Sequence, residues 1–280
     1  MNPPQLNIPE ILRQYGLKPD KRLGQNFLVD PSALQRIVET AEIRSQDAIL
    51  EIGPGLGSLT RYLASVAKKV VAVELDADLI SPLRDILASY SNVTIIQGDI
   101  LEMDPGQLMD QSSYLVVANI PYYITSAVIR HLLEAEVQPR RMVLTVQREV
   151  AQRICAEPGD LSLLALSVQV YGKPRIAARI PAGAFYPPPK VDSAVVNIDL
   201  YPQPRIPAER LDAFFSLAKA AFSQKRKILR NAISGGTHLS PAEAEDLLKA
   251  AEINPGRRAQ TVSIEEWHRL VEIFRGNGTG

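Results

Sequence analysis

The sequence predicts an α/β fold, an open parallel sheet with helices between its strands, followed by a small all-helical region. Three observations carry this. Apolar β-like runs recur at intervals of roughly 20 to 30 residues, with helical patterns between them, as βαβ units require. The runs are Ala48–Ile52, Val70–Glu74, Val93–Gln97, Tyr114–Ala118 and Met142–Val146. The first of them passes into the glycine-rich stretch AILEIGPGLGSLT. Beyond the Pro-rich segment YPQPRIP the strand pattern stops, and LDAFFSLAKAAF, KILRNAI, SPAEAEDLLKAA and SIEEWHRLVEIF read as helices.

Residues 1–30 form a Pro-interrupted lead-in. It holds a helix-compatible stretch from Ile8 to Tyr15, then LKPDKRLGQNFLVD with Lys18, Lys21 and Arg22. Asp30 is a plausible N-cap and Pro31 a helix start, with Leu34, Ile37, Val38 and Ala41 on one face. Gly53, Gly55 and Gly57 have no Cβ, so the turn can take positive φ and let a ligand lie against bare backbone, while Pro54 stiffens one link. A helix with ligand-facing N–H groups is expected from Ser58. The spacing is G-x-G-x-G, and such a cluster by itself also fits a purely structural turn.

The strands that follow end in polar residues. Glu51, Glu74, Asp99 and Asn119 can converge at the carboxyl ends of a parallel sheet. A carboxylate after the second strand suits the hydroxyls of a ribose, and one after the third suits the exocyclic amine of adenine. Each acid taken alone reads equally as a loop residue or a helix cap. Further on come the helix QREVAQRI, a helical run near Leu161–Val170, a short strand near Arg175–Ile180, the loop PAGAFYPPPK and a strand at Ser193–Leu200. With YPQPRIP as the linker, the expected division is residues 1–203 and 204–280. Ser240 and Ser263 are the expected N-caps of the last two helices.

With 46% hydrophobic and 22% charged residues in 280, the composition is that of a folded globular chain and excludes disordered and collagen-like classes. Cys155 is the single cysteine, the first residues MNPPQLNIPE lack a basic and an apolar region, and a cytoplasmic setting is expected. No apolar run reaches the roughly 20 residues needed to span a bilayer. His131, His238 and His268 lack metal-ligand spacing, so no metal is expected. The 31 basic and 31 acidic side chains cancel overall but are unevenly placed. Residues 205–280 carry 12 Lys and Arg against nine Asp and Glu, a net +3 that leaves −3 for the rest. Within them AKAAFSQKRKILRN holds Lys219, Lys225, Arg226, Lys227 and Arg230 with no acid, either a solvated helix face or a phosphate-contacting surface.

Asn-Ile-Pro-Tyr at 119–122 answers a defined chemical problem. The exocyclic amine of adenine is a poor nucleophile because its lone pair is delocalised into the ring. The side-chain oxygen of Asn119 and the carbonyl of Ile120 can accept its two N–H groups and favour the tetrahedral nitrogen that attacks. Pro121 would fix the backbone and Tyr122 would stack on the base.

These residues resemble the KsgA family of small-subunit ribosomal RNA adenine N6,N6-dimethyltransferases. The resemblance runs through LGQNFL at 23–28, EIGPGLGSLT at 51–60, VELD at 73–76, GD at 98–99, NIPYYI at 119–124, QREV at 147–150, AFYPPPKVDSAVV at 184–196 and AFSQKRKILRN at 221–231. It implies a Rossmann-like, S-adenosylmethionine-dependent methyltransferase sheet with a small C-terminal helical domain that binds RNA or the ribosome. Asn26, Leu28, Gly53, Glu74, Asp99 and Asn119 would contact S-adenosylmethionine, which leaves as S-adenosylhomocysteine. Asn119, Pro121, Tyr122 and Phe185 would form the catalytic site, Phe185 as the second side of the base pocket. A helix bearing Lys225, Arg226, Lys227 and Arg230 would meet RNA phosphates. The reaction implied is methylation of two adjacent adenines near the 3′ end of the 16S rRNA in a 30S precursor, by a protein expected to be monomeric.

The family pattern of a Tyr-Gly before the Leu-Ser near Ser167 is replaced here by PGDLSLLALS. Three other readings stand beside this one. A nicotinamide-dependent oxidoreductase would share the glycines and Glu74 but not Asn-Ile-Pro-Tyr. A non-catalytic ribosome-assembly factor would not need an intact Asn119–Tyr122. The macrolide-resistance type of large-subunit rRNA methyltransferase would share the Asn-x-Pro-Tyr logic but not FYPPPKVDSAVV or QKRKILRN.

Overall fold

The computed structural model describes residues 3–109, 113–224 and 226–274. Its strands are β1 (Phe27–Leu28), β2 (Ala48–Ile52), β3 (Lys69–Glu74), β4 (Val93–Gln97), β5 (Leu115–Asn119), β6 (Arg141–Gln147), β7 (Gly172–Ile180), β8 (Phe185–Tyr186) and β9 (Ser193–Leu200). Helices α1 (Ile8–Gln14), α2 (Pro31–Ala41), α3 (Ser58–Ala64), α4 (Ala77–Leu87), α5 (Pro105–Met109) and α6 (Thr125–Glu134) occupy the first half. They are followed by α7 (Arg148–Ile154), α8 (Leu163–Gln169), α9 (Leu211–Ser223), α10 (Leu229–Gly236), α11 (Pro241–Ala250) and α12 (Ile264–Ile273).

The main sheet has the order β4-β3-β2-β5-β6-β9-β7. β2 through β6 run parallel, and β9 returns antiparallel to β6 over the full register Arg141↔Asp199 to Gln147↔Ser193. The strand order reverses between β2 and β5. There the ladder holds only Ile49↔Leu115 and Leu50↔Val116, whereas β2 pairs with β3 through to Ile52↔Val73. A crevice therefore opens at the carboxyl ends of β2 and β5, the switch point at which open α/β sheets bind ligands.

β2, β3 and β5 are apolar almost throughout because both faces of the sheet are covered. On one face Leu34, Ile37 and Ala41 of α2 and Leu59 and Leu63 of α3 pack with Ile49, Val70, Leu115 and Val143. Asp30 caps α2 by accepting from the Ala33 N–H at 2.8 Å. Ser240 and Ser263 each form a reciprocal capping box, with Glu243 and Glu266.

The lead-in is part of the folded core. Ile8 and Leu12 of α1 pack with Phe27, Leu56 and Leu79, and the buried Arg61 donates from Nη2 to the Pro4 carbonyl at 2.6 Å. A further pairing escapes periodicity altogether, the two-residue antiparallel sheet Phe27↔Tyr186 and Leu28↔Phe185.

The chain forms two compact units, Met1–Ala151 with Pro174–Leu200, and Gln152–Lys173 with Tyr201–Gly280. A single cut after residue 203 thus needs correction, because residues 152–173 bond to the second unit. The N–H groups of Gly159 and Leu161 donate to the Gln260 carbonyl, and the Gln260 side chain returns a bond to the Gly159 carbonyl at 2.8 Å. Arg205 and Tyr201 donate to the carbonyls of Val170 and Tyr171. The departure at PGDLSLLALS is thereby explained in part: its loop is a clip within the helical unit, and Ser162 caps α8. In that unit Trp267 and Phe214 meet edge to face at 6.1 Å.

Candidate active site

Within the first unit one cleft, partly open to solvent, is lined by Asn26, Leu28, Gly53, Glu74, Asp99, Asn119, Pro121, Tyr122 and Phe185. All the cofactor and catalytic candidates from the sequence therefore share one wall system, together with Glu51, Ser58 and Tyr123.

The glycine turn does adopt the left-handed region, with φ of 68°, 60° and 77° at Gly53, Gly55 and Gly57. At Gly55 a Cβ would stand 3.0 Å from the Phe27 ring, so only glycine lets the lead-in close on the turn. The N–H groups of these glycines do not face a ligand. Gly53 donates to the Val73 carbonyl, Gly57 to the Pro54 carbonyl and Gly55 to Glu74 Oε2 at 2.9 Å. The turn is braced internally and offers bare Cα surface. No side chain caps α3, whose start at Ser58 agrees with the sequence expectation.

Glu74 uses its second oxygen, Oε1, to accept from the Asp76 N–H at 2.9 Å. Burial raises its pKa, and the N–H bonds from Asp76 and Gly55 offset part of that rise. Asp99 accepts from the Leu101 N–H at 2.9 Å. Glu51 is 1% exposed and its Oε2 has no hydrogen-bond partner. Burial pushes its carboxyl up to about 8; the Thr60 side chain takes back part of the shift and the Glu74 charge adds to it.

Asn119 ends β5, and its Nδ2 donates to the Asn26 carbonyl at 3.2 Å. The reverse orientation would set two acceptors against each other, so Oδ1 is the end left to accept. Asn26 in turn donates from Nδ2 to the Gly24 carbonyl at 2.9 Å. The loop bearing Asn26 is anchored by Gln25, which donates to Asp76 Oδ2 at 2.6 Å and accepts from the Asp20 N–H at 2.8 Å. After Asn119, the Pro121 carbonyl accepts from Ile124 N–H, holding the following turn.

Tyr122 is tied through its hydroxyl to Ser193 Oγ at 2.7 Å, and burial raises its pKa. Phe185 lines the cleft yet is only 3% exposed and belongs to the apolar cluster of α2, α3 and the sheet. It is a core residue with one face on the cleft. Sequence reasoning missed Ser193, Gln25 and Asp76, which orient others rather than carry a motif. The one available signal was a serine opening the otherwise apolar run SAVV.

Of the basic candidates, Lys225 lies outside the described residues. The basic candidates do not share one helix as expected: α9 ends at Ser223, Arg226 and Lys227 sit exposed in the turn, and Arg230 lies in α10. The chain reverses so that α10 packs on α9, close enough that a Cβ on Gly236 would stand 2.6 Å from that of Ala220. Arg230 is paired with Glu245 at 2.8 Å and is no free cation. No group of His, Cys, Asp and Glu among the described residues could hold a metal ion.

The cleft fits S-adenosylmethionine by its donor set. Glu74 and Asp99 follow successive strands, the turn has room for a ligand against bare backbone, and the orphaned Glu51 Oε2 lines the same space.

Comparison with known proteins agrees with this chemistry. Residues 16–275 match the sequence model of a family described as ribosomal RNA adenine dimethylase. The chain is 46% identical over 271 residues to ribosomal RNA small subunit methyltransferase A of Dehalococcoides mccartyi strain CBDB1, covering 96% of this chain and 92% of that one. It is 41% identical over 269 residues to the protein of the same name from Alkaliphilus metalliredigens, covering 94% of each. Among solved structures it resembles a dimethyladenosine transferase from Plasmodium falciparum, with TM-score 0.72, 26% identity and 87% and 95% of the two chains covered. It also resembles the 23S rRNA methyltransferase ErmE, with TM-score 0.71, 29% identity and 89% and 99% covered.

Proposed function

Because the chain belongs to the ribosomal RNA adenine dimethylase family, we propose that this methyltransferase dimethylates N6 of two adjacent adenines near the 3′ end of 16S rRNA in a 30S precursor. The observation that carries the chemistry is the fixed amide of Asn119, whose Nδ2 is committed to the Asn26 carbonyl so that Oδ1 is presented as an acceptor. Small-subunit RNA is favoured over large-subunit RNA by the named relatives at 41% and 46% identity, against 29% for the large-subunit enzyme. The protein is read as cytoplasmic and active as a monomer.

When bound, S-adenosylmethionine supplies an electrophilic methyl group on a sulfonium centre. Glu74 and Asp99 hold the ribose and the adenine of that cofactor, while Asn26, Leu28 and Gly53 form the walls against it. Asn119 Oδ1 and the Ile120 carbonyl accept the two N–H groups of the target amine and draw its nitrogen toward tetrahedral geometry. Tyr122, its ring held by Ser193, and Phe185 grip the base taken out of its stack. No ionised general base is required, since the amine loses its proton after attack. Orientation of this kind can account for about 7–11 kcal/mol of a barrier.

The test is mass spectrometry of RNA from unmethylated small subunits incubated with the protein and S-adenosylmethionine. Dimethyladenosine at two adjacent positions of the small-subunit RNA is expected. Small-subunit RNA that gains no dimethyladenosine would overturn the reading.

A further inference from the structure

We propose that Tyr123 and Tyr186 are outer stacking platforms for the nucleobases on either side of the target adenine. This rests on the function above and extends it from the target base to its neighbours.

Among the described residues the large apolar side chains left well exposed include two aromatics, Tyr123 at 57% and Tyr186 at 37%. Each directly follows an aromatic that lines the cleft, Tyr122 and Phe185. The backbone turns the two side chains of each pair in different directions. Residues 122–124 form a 3₁₀ turn, whose successive side chains point about a third of a turn apart, so while Tyr122 is held inward on Ser193, Tyr123 stands at the exposed side of the same cleft. Phe185–Tyr186 is a strand, whose successive side chains take opposite faces. Phe185 is thus a wall of the cleft and also of a second hollow lined by Gln5, Asn7, Val29 and Tyr186.

Both tyrosines are positioned. Gly24 has φ of 63°, and a Cβ there would stand 3.3 Å from the Tyr123 ring, so the missing side chain lets that ring rest on the loop. Tyr186 is held in register by its pairing with Phe27. The acids near Tyr123 are Asp99, Asp20 and Glu74. They would repel a phosphate but not the face of a neutral base. An RNA that yields one base to a pocket leaves both neighbours with an unstacked face, and an aromatic ring beside each exit replaces what was lost.

The experiment compares Tyr123→Ala, Tyr186→Ala, the matching Leu variants and the matching Phe variants on unmethylated small subunits. KM for the subunits should rise roughly 5- to 150-fold in the Ala and Leu variants, the worth of one stacked base. Melting temperature should hold throughout, S-adenosylmethionine affinity and kcat should hold in the variants of Tyr186, which lies outside the cleft lining, and the Phe variants should restore KM because they keep the aromatic face. An unmoved KM in the Ala variants, or a raised KM that Phe does not restore, overturns the inference while methylation by the wild-type protein preserves the function. Wild-type protein that fails to methylate the subunits overturns both.

Discussion

Asn119 and Glu74 stand a strand apart in the same cleft and divide the work between chemistry and binding. Asn119→Ala removes an acceptor whose value is greatest as the amine becomes tetrahedral, so methyl transfer should be nearly abolished while S-adenosylmethionine binds only somewhat more weakly. Turnover within about threefold of wild type would remove Asn119 from the chemical step. Glu74→Ala should raise the dissociation constant of S-adenosylmethionine roughly 10- to 150-fold, the worth of a charge-assisted hydrogen bond. It should also lower the melting temperature, because the N–H groups of Gly55 and Asp76 lose their acceptor. Asp99→Ala strands one backbone N–H, that of Leu101, and should weaken binding similarly at smaller cost to stability. Calorimetric titration beside a thermal melt separates the two; equal affinity in both variants and wild type would return the acids to a purely structural role.

At the scale of elements, strands and caps were legible because their causes are local. The five parallel strands are apolar runs of ordinary length, and Asp30, Ser240 and Ser263 are followed at the right distance by the N–H groups they accept. The β1–β8 pairing was not legible, since two residues carry no periodicity and the partners lie more than 150 positions apart. The break after Ser223 was legible as the gap between LDAFFSLAKAAF and KILRNAI, whereas the close approach of α10 to α9 at Gly236 and Ala220 was not, since it is decided by packing and not by the residues of the turn. The β1–β8 pairing matters to function, as it brings LGQNFL beside AFYPPPK and gives Phe185 its double role. Phe185→Leu should weaken methylation and leave cofactor binding intact, with a modest fall in melting temperature. Phe185→Ala should cost about 3–5 kcal/mol, as truncating a buried aromatic does. Undiminished methylation by the Leu variant would leave Phe185 a core residue only.

For the whole molecule the titratable core and the charge distribution lead to different measurements. Glu51 has an ordinary value of 4.5 raised to about 8 by burial, so the folded protein holds this proton more tightly than the unfolded chain. Its contribution to stability is complete below the unfolded value and is lost as pH rises through about 8. Melting temperatures of the ligand-free wild type should therefore fall from pH 5 to 9 more steeply than those of Glu51→Gln; parallel curves would show that Glu51 does not carry the slope. The neutral net charge must also be reconciled with an RNA substrate, and a local surface can do so. Arg226 and Lys227 are exposed in the α9–α10 turn, whereas Arg230 is already engaged by Glu245, which Lys249 and then Arg230 hold down at about 2. Binding to small subunits across a salt series, measured for the fourfold Gln variant of Lys225, Arg226, Lys227 and Arg230, should be weaker and less salt-dependent. Each lost phosphate contact lowers the log–log slope by about 0.7–0.9. Restoring Arg230 alone should recover little, since its charge is spent within the unit, while restoring Arg226 and Lys227 should recover part of the slope. If the fourfold variant binds with unaltered slope and affinity, and its melting temperature and S-adenosylmethionine affinity are intact, the phosphates are met elsewhere. The exposed Lys18 and Lys21 of the lead-in are then the next surface to test, ahead of Arg22, which pairs with Asp20 at 2.9 Å.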